Sequence, residues 1–337
     1  MNTQTLRMSI VAATAFCLTL TGCATVAPSA AGFSPPASVE HVAFAKTSRF
    51  IYVSNTTAIN VYAAFTYGNV PPVGVISGSN TTLTGSNGIV VDRSGEIYVV
   101  DTPTGRILGF PAQTYGNVAP NIVIGGSNTK LTWPIGMATD SEGNLYVADC
   151  GTICDGGSGP SAILEFAAGS NGNVSPIRDI TGPDSELDWA NGIAVDASGN
   201  IYVTDPSESA VVIFGKSANG NAVPSRYIAG SNTHIFGPIG VAVDSTMLYV
   251  DSGVGEYIVS FPKNANGNVW PSGMAHHPYA KLNLPDGLAV DSFKNVYVAG
   301  GQRVFVFAPI VTWTPKPIGR IEGRKTQLWH PTFIYVR

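Results

Sequence analysis

Residues 192–205 read GIAVDASGNIYVTD, and the pattern returns as GIVVDRSGEIYVVD from Gly88, GMATDSEGNLYVAD from Gly136, GVAVDSTMLYVD from Gly240 and GLAVDSFKNVYVAG from Gly287. The leading glycines stand 48, 56, 48 and 47 positions apart, a period suited to one four-stranded propeller blade. Within the unit, Ile193, Ala194 and Val195 are apolar on both faces, as an innermost strand requires. Asp196 to Asn200 then form a tight hairpin, and the stretches from Ile201 and Ala210 are β-branched and aromatic strands. A second marker, Gly-Asn at Gly68, Gly116, Gly172, Gly220 and Gly267, keeps the same phase and reads as the turn into a fourth strand.

Second strands beginning at Ile51, Ile97, Leu145, Ile201, Leu248 and Val296 count six blades. Each blade alone exposes both faces, so the sheets bury them only by packing in a ring. The sequence therefore predicts an all-β chain with a six-bladed β-propeller of four-stranded blades over residues 40–337; seven blades is the alternative. The first blade opens with HVAFAKTSRFIYVSN from His41 and lacks the leading glycine, while the last has RVFVFAPIVTWTPKPIGRI from Arg303 in place of Gly-Asn. The tail TFIYVR, residues 332–337, is strand-like and is expected to complete an end blade. Over residues 40–322 the pattern resembles the NHL repeat family of six-bladed propellers. That resemblance implies the fold and leaves function open, since related propellers bind proteins, sense ligands, or act as lyases and lactonases.

Only 12% of the 337 residues are charged and the net charge is −4, which gives no reason to expect nucleic-acid binding. Residues 1–22 carry Arg7 followed by the apolar run Ser9 to Leu20, too short to span a bilayer comfortably. The run ends in Leu20-Thr21-Gly22-Cys23, which resembles the lipobox of bacterial lipoprotein signal peptides; lipidation of Cys23 is implied. An ordinary secretory signal, with Cys23 incidental, is the alternative. Either reading exports the protein. Residues 23–39, rich in Ala, Ser and Pro, form a tether, and Ala24 after the cysteine favours the outer membrane by resemblance to Gram-negative sorting signals. Cys150 and Cys154 frame an insert in the longest repeat, and in an oxidising compartment they read as a local disulfide.

Two sets of acids need separating. Asp92, Asp140, Asp196, Asp244 and Asp291 open the first hairpin of each blade and read as turn supports. Asp101, Asp149, Asp205 and Asp251, with Asn55, end second strands and form a polar ring on one face, either capping their own loops or binding a ligand. The individuality of the repeats lies just before the glycine: Asn87, Ile135, Asn191, Ile239 and Asp286, with Glu40 or His41 as the first-blade equivalent. These positions are expected to line the mouth of the central channel on that same face. Trp133 and Trp189 precede two of them and read as a plug between blades or a stacking wall for a sugar.

The mouth set faintly resembles the gluconolactonase and senescence-marker family. The resemblance implies Ca²⁺ held by Glu40, Asn191 and Asp286, with Asp286 as the base of a lactone hydrolase. This chain departs from the family by placing Ile239 between Asn191 and Asp286. No serine-nucleophile elbow, zinc-protease helix or phosphate loop is present, and the histidines His41, His234, His276, His277 and His330 make no evident set. The reading favoured is a non-catalytic, lipid-anchored module at the bacterial cell envelope, needing no cofactor. Asn55, Asn87, Asn191, Asp286 and the aspartate ring would contact an envelope protein, peptide or glycan, and the membrane would be met only through Cys23. A metal-dependent hydrolase and a pocketless scaffold are the alternatives.

Overall fold

The computed structural model describes residues 49–157, 159–276, 282 and 284–337. Residues 1–39, Glu40, His41 and His277 lie outside that set, and with them Cys23 and the anchor. The described residues form six four-stranded antiparallel sheets, and the only helical elements are short 3-10 turns. None of the described helices is long and apolar enough to cross a membrane.

Blade four shows the plan, with Ile193–Val195 innermost, then Ile201–Asp205, Ala210–Phe214 and Arg226–Ile228 outward. Its Asp196 supports the first hairpin as predicted: Oδ1 accepts the amides of Ser198 at 2.8 Å and Asn200 at 3.0 Å, and Oδ2 accepts the Tyr202 hydroxyl at 3.2 Å. Asp140 and Asp291 repeat this bonding with Tyr146 and Tyr297. Apolar side chains fill the space between neighbouring blades; Ile180, Leu187, Ile201, Val203 and Phe214 do so between blades three and four.

In blade one the tail completes an end blade as expected, while the innermost strand comes from the tail rather than from the segment after His41. That strand is Pro331–Val336, antiparallel to Phe50–Asn55, so the two ends of the ring meet inside one sheet. The mouth position of blade one on its innermost strand is therefore Thr332, and Glu40 and His41, the positions expected from the sequence, lie outside the described residues.

The Gly-Asn segments are also more than turns. Each leaves the third strand of its blade and runs beside the outermost strand of the preceding one: Gly116 donates to Val75 O at 2.7 Å and its carbonyl accepts Ser77 N at 3.1 Å. Asn117 Oδ1 then accepts Asn80 N at 2.7 Å in the connection leaving blade one. These straps cover sheet edges that would otherwise offer unpaired amides. In blade six, Thr312 to Thr314 take over the role, holding Met274 of blade five at 3.1 and 2.7 Å.

The leading glycine recurs because neighbouring backbones leave no room. A Cβ on Gly136 would lie 2.2 Å from Asn191 O, and one on Gly192 would lie 2.1 Å from Ile239 O. Gly192→Ala is expected to destabilise the ring by about 3 kcal/mol, as overpacking against rigid backbone does. Urea denaturation checks this, and a loss below about 0.5 kcal/mol would show that the blades can move apart.

Candidate functional site at the channel mouth

Strands alternate in direction, so the connections entering each blade and those joining second to third strands share one face, the mouth face. In blades three and six the residue before the glycine is the extra residue of a β-bulge: Pro134 pairs with Asp149 and Gly136 with Ala148, leaving Ile135 over, and Asp286 is left over between Pro285 and Gly287. Asn87 and Thr332 lie in equivalent irregularities of blades two and one. A bulge takes a side chain out of the regular alternation, which is how these positions escape the repeat.

The acids that end second strands are buried clamps on the loops entering their own blades. Asp205 accepts the amides of Asp188 and Trp189 at 2.8 and 3.0 Å, and Asp149 those of Thr132 and Trp133 at 2.7 and 3.1 Å. Asp101 does the same with Thr84 and Gly85 at 2.7 and 2.8 Å, and Asn55 Oδ1 with Trp329 and His330 at 3.0 and 2.9 Å. Burial pushes the Asp101 carboxyl up, but hydrogen bonds from Thr104, Thr84, Gly85 and Arg106 outweigh it and hold the group below its ordinary range. At Asp149 burial prevails over three amides, and the carboxyl is raised. The polar ring expected on this face is thus turned inward onto its loops.

Asp251 does not belong to that ring. Asp205 pairs across to Ala210, the first residue of the third strand, whereas in blade five that end position belongs to Ser252, paired with Tyr257. Ser252 takes the clamp, its Oγ accepting Phe236 N at 3.0 Å. Asp251, one residue earlier, projects to the other side, where its carboxylate accepts the amides of Ile239 and Gly240 at 2.6 Å each. The corresponding residue of blade four is Thr204, which donates to Ile239 O of the next blade at 2.8 Å.

This shift brings a carboxyl into the gap left by Ile239. A Cβ on Gly192 would fall 3.2 Å from Gly240 Cα, and one on Gly240 would fall 2.8 Å from Asp251 Oδ2 and 3.2 Å from Gly287 Cα. Asn191, Asp251 and Asp286 therefore belong to three consecutive, closely apposed blades. Burial raises the Asp251 carboxyl well above its ordinary range despite its two amides, and the neighbouring Asp286 adds to the rise. Burial alone pushes Asp286 up to about 7. Asn191 is 7% exposed, and its Oδ1 is buried without a hydrogen-bond partner. Asn87 is spoken for, its Nδ2 donating to Thr102 Oγ1 at 2.7 Å. Below the glycines the channel is apolar, a cavity of about 160 Å³ lined by Val90, Ala138, Ala194, Ala242, Ala289 and Ile334, with Phe333 standing where other blades have glycine.

Among the described residues no three His, Cys, Asp or Glu side chains come together as a metal set. Of the three polar side chains in these adjacent blades, Asp251 is fully buried with both oxygens accepting amides, which leaves Asn191 Oδ1 and the Asp286 carboxyl without a described donor. Large apolar side chains are exposed on this face, Trp329 at 73%, Val254 at 80% and Trp189 at 40%, with Phe236, Leu284 and Ile153, interspersed with the exposed Asp188, Glu208, Glu256 and His330. Trp189 is thus a rim residue rather than a plug, and Trp133 is half-buried. Cys150 and Cys154 are joined as a disulfide with Cα atoms 5.9 Å apart, in the insert of blade three on this same face.

Comparison with known proteins agrees with the architecture. Residues 180–204, from the outer strand of blade three into blade four, match the Beta-propeller repeat family (SBBP). No curated protein matches the chain. Among solved structures, the chain is similar to one in the nidogen/laminin complex, at 14% identity over 86% of this chain and 98% of that one, TM-score 0.59. It is also similar to a protein of unknown function from Bacteroides caccae, at 14% identity over 86% and 99% of the two chains, TM-score 0.57. A functionally unknown protein from Desulfotomaculum acetoxidans DSM 771 is similar at 15% identity over 77% and 75%, TM-score 0.51. At such identities the likeness concerns the fold.

Proposed function

We propose that the protein is an exported binding module, held at the bacterial envelope through a lipid on Cys23, whose mouth face docks a protein or peptide. The observation that carries this reading is the exposure of five large apolar side chains, Trp189, Phe236, Val254, Leu284 and Trp329, on the loops of that one face. Exposed large apolar side chains grouped on one face mark interaction sites, and tryptophans are among the residues that carry most binding energy there. The described chain enters the ring at Arg49, beside Arg337 and on the hairpin face opposite the mouth. The nidogen/laminin structure offers a precedent for a similar fold occurring within a protein complex, at the level of fold alone.

A photo-crosslinking amino acid placed at Trp329 or Val254 in whole cells is expected to give discrete adducts, and the same group at Phe293 on the hairpin face is not. Equal labelling from both faces, or none from either, would remove the mouth face as the docking surface. A hydrolase reading requires a cation at Asn191 and Asp286, and a purified chain whose melting temperature does not move when Ca²⁺ is added would remove it.

A further inference from the structure

The hairpin face, where the described chain enters at Arg49, departs from the repeat in two neighbouring blades. In blade six the first hairpin reads DSFKN, so Phe293 stands where blades two, three and four have Ser94, Glu142 and Ser198. Lys294 then takes the left-handed position, φ 66°, that Gly95, Gly143 and Gly199 occupy elsewhere. In blade one Phe65, φ 63°, stands where later blades have Gln113, Gly169, Ser217 and Asn264. Left-handed backbone is costly for side chains as large as Phe65 and Lys294, and it persists mainly where function retains it. Burial does not offset the cost, since Phe65 is 50% exposed and Phe293 60%. The two rings meet, centroids 6.1 Å apart, and the Arg49 guanidinium lies 4.3 Å from the Phe293 centroid. Tyr67, also exposed, lies over Gly319 beside the exposed Ile318.

Resting on the lipid at Cys23 proposed above, we infer that this patch is a membrane-docking surface: Phe65 and Phe293 enter the interfacial layer of the bilayer that holds the anchor, with Arg49 and Lys294 at its headgroup phosphates. The path of the chain favours a bilayer over a protein as the occupant. Residues 24–48 join Cys23 to Arg49, a span of at most about 90 Å, and Arg49 is itself part of the patch. The anchor therefore brings this face to the lipid at high effective concentration, where a weak contact suffices. Aromatic rings suit the headgroup boundary, and guanidinium and ammonium groups suit its phosphates. The charges agree. The hairpin-face segments of blades six and one carry Arg49, Lys294, Lys316 and Arg337, and their one acid, Asp291, is 7% exposed and bonded into its own turn. Asp244 of blade five, 3.8 Å from Lys294, is likewise held by its own turn amides. Docked in this way, the protein meets the membrane at two places rather than through Cys23 alone, with the mouth face turned away from it.

The test combines the purified full chain with vesicles of equal parts phosphatidylethanolamine and phosphatidylglycerol, with a photo-crosslinking amino acid at Phe293 or, in separate chains, at Phe65 or Trp329. Irradiation is expected to give lipid adducts from Phe65 and Phe293 several-fold above those from Trp329 on the opposite face. Adding Phe65→Gln and Lys294→Gly to the chain labelled at Phe293 is expected to cut its lipid adducts by about fivefold or more, through loss of one ring and one charge at the interface. Both substitutions restore residues that sister blades carry, so the fold is kept. Adducts that persist unchanged in that variant come from tethering alone and overturn the docking surface. Equal lipid labelling from Trp329 overturns it too, as do protein adducts in place of lipid when the same group is carried in whole cells. The mass of the peptide beginning at Cys23 tests the anchor separately. A lipid on Cys23 without patch-dependent adducts leaves the anchor and removes the docking surface; patch-dependent adducts with an unmodified Cys23 leave the docking surface and remove the anchor.

Discussion

Removal of residues 331–337 is expected to abolish cooperative folding. The deletion takes the innermost strand from blade one, leaving Phe50–Asn55 as an unpaired edge facing the channel, and withdraws Ile334 from the cluster it shares with Ile51, Val53, Ala289 and Tyr297. It also removes Thr332 O, against which Gly287 packs, and the Arg337 guanidinium bonded to Arg93 O at 2.7 Å on the next blade. These contacts join blades six, one and two, so their loss opens the ring. Each blade is stable only with both faces covered, and the whole fold has on the order of 5–15 kcal/mol in hand, so opening the ring should exceed what the fold can lose. The full chain should show one sharp thermal transition by circular dichroism, and the truncated chain a broad or absent one. A truncated chain melting within a few degrees of the full chain would mean that the ring does not need this closure.

The architecture was legible because both repeated markers follow from local chemistry. The aspartate that opens each hairpin satisfies its own turn amides, and the glycine clears the neighbouring backbone, so both recur wherever the unit recurs. Less legible were features whose cause lies in another blade. The Gly-Asn segment pairs with the preceding sheet, and nothing within its own repeat records that partner. Closure by the carboxyl end is likewise a pairing between residues nearly a whole chain apart, although Pro331 placed beside Pro134 and Pro285 in their strands carries a trace of it.

At the site, one available spacing decides the matter. The acid follows the second-strand tyrosine by three positions in Tyr98–Asp101, Tyr146–Asp149 and Tyr202–Asp205, but by two in Tyr249–Asp251. Because side chains alternate along a strand, that single position turns Asp251 to the opposite face of its sheet, onto the Ile239 and Gly240 amides. Aligning the repeats on their final Asp hides the change; aligning them on the tyrosine exposes it. The unsatisfied state of Asn191 has no such trace, since it depends on what the adjacent blades withhold.

The buried acids near the mouth, Asp286 above all, make stability depend on pH in a direction opposite to that of ordinary paired carboxylates. Asp286 is raised by burial from 3.8 to about 7 when folded, so between those values the folded state keeps a proton that the unfolded state has lost. Stability from this group is therefore fully present below about pH 4, falls by about 1.4 kcal/mol per pH unit as pH rises, and levels off above about 7. Asp251, raised in the same sense, carries the decline further. Asp101, Asp140, Asp196 and Asp244, held below their ordinary range, act oppositely and weaken the fold only in acid. The amide of Asp286→Asn has no charge to desolvate, so the variant should match the wild type near pH 4 and exceed it at pH 8 by on the order of 2–4 kcal/mol. Urea denaturation of both proteins at pH 4, 6 and 8 isolates the effect of this carboxyl together with its coupling to Asp251, because the other titrating groups are common to the pair. A difference that stays flat with pH would mean that Asp286 ionises as freely in the ring as in water. A wild type more stable than the variant at pH 8 would mean that the Asp286 carboxylate already has a partner that offsets its burial.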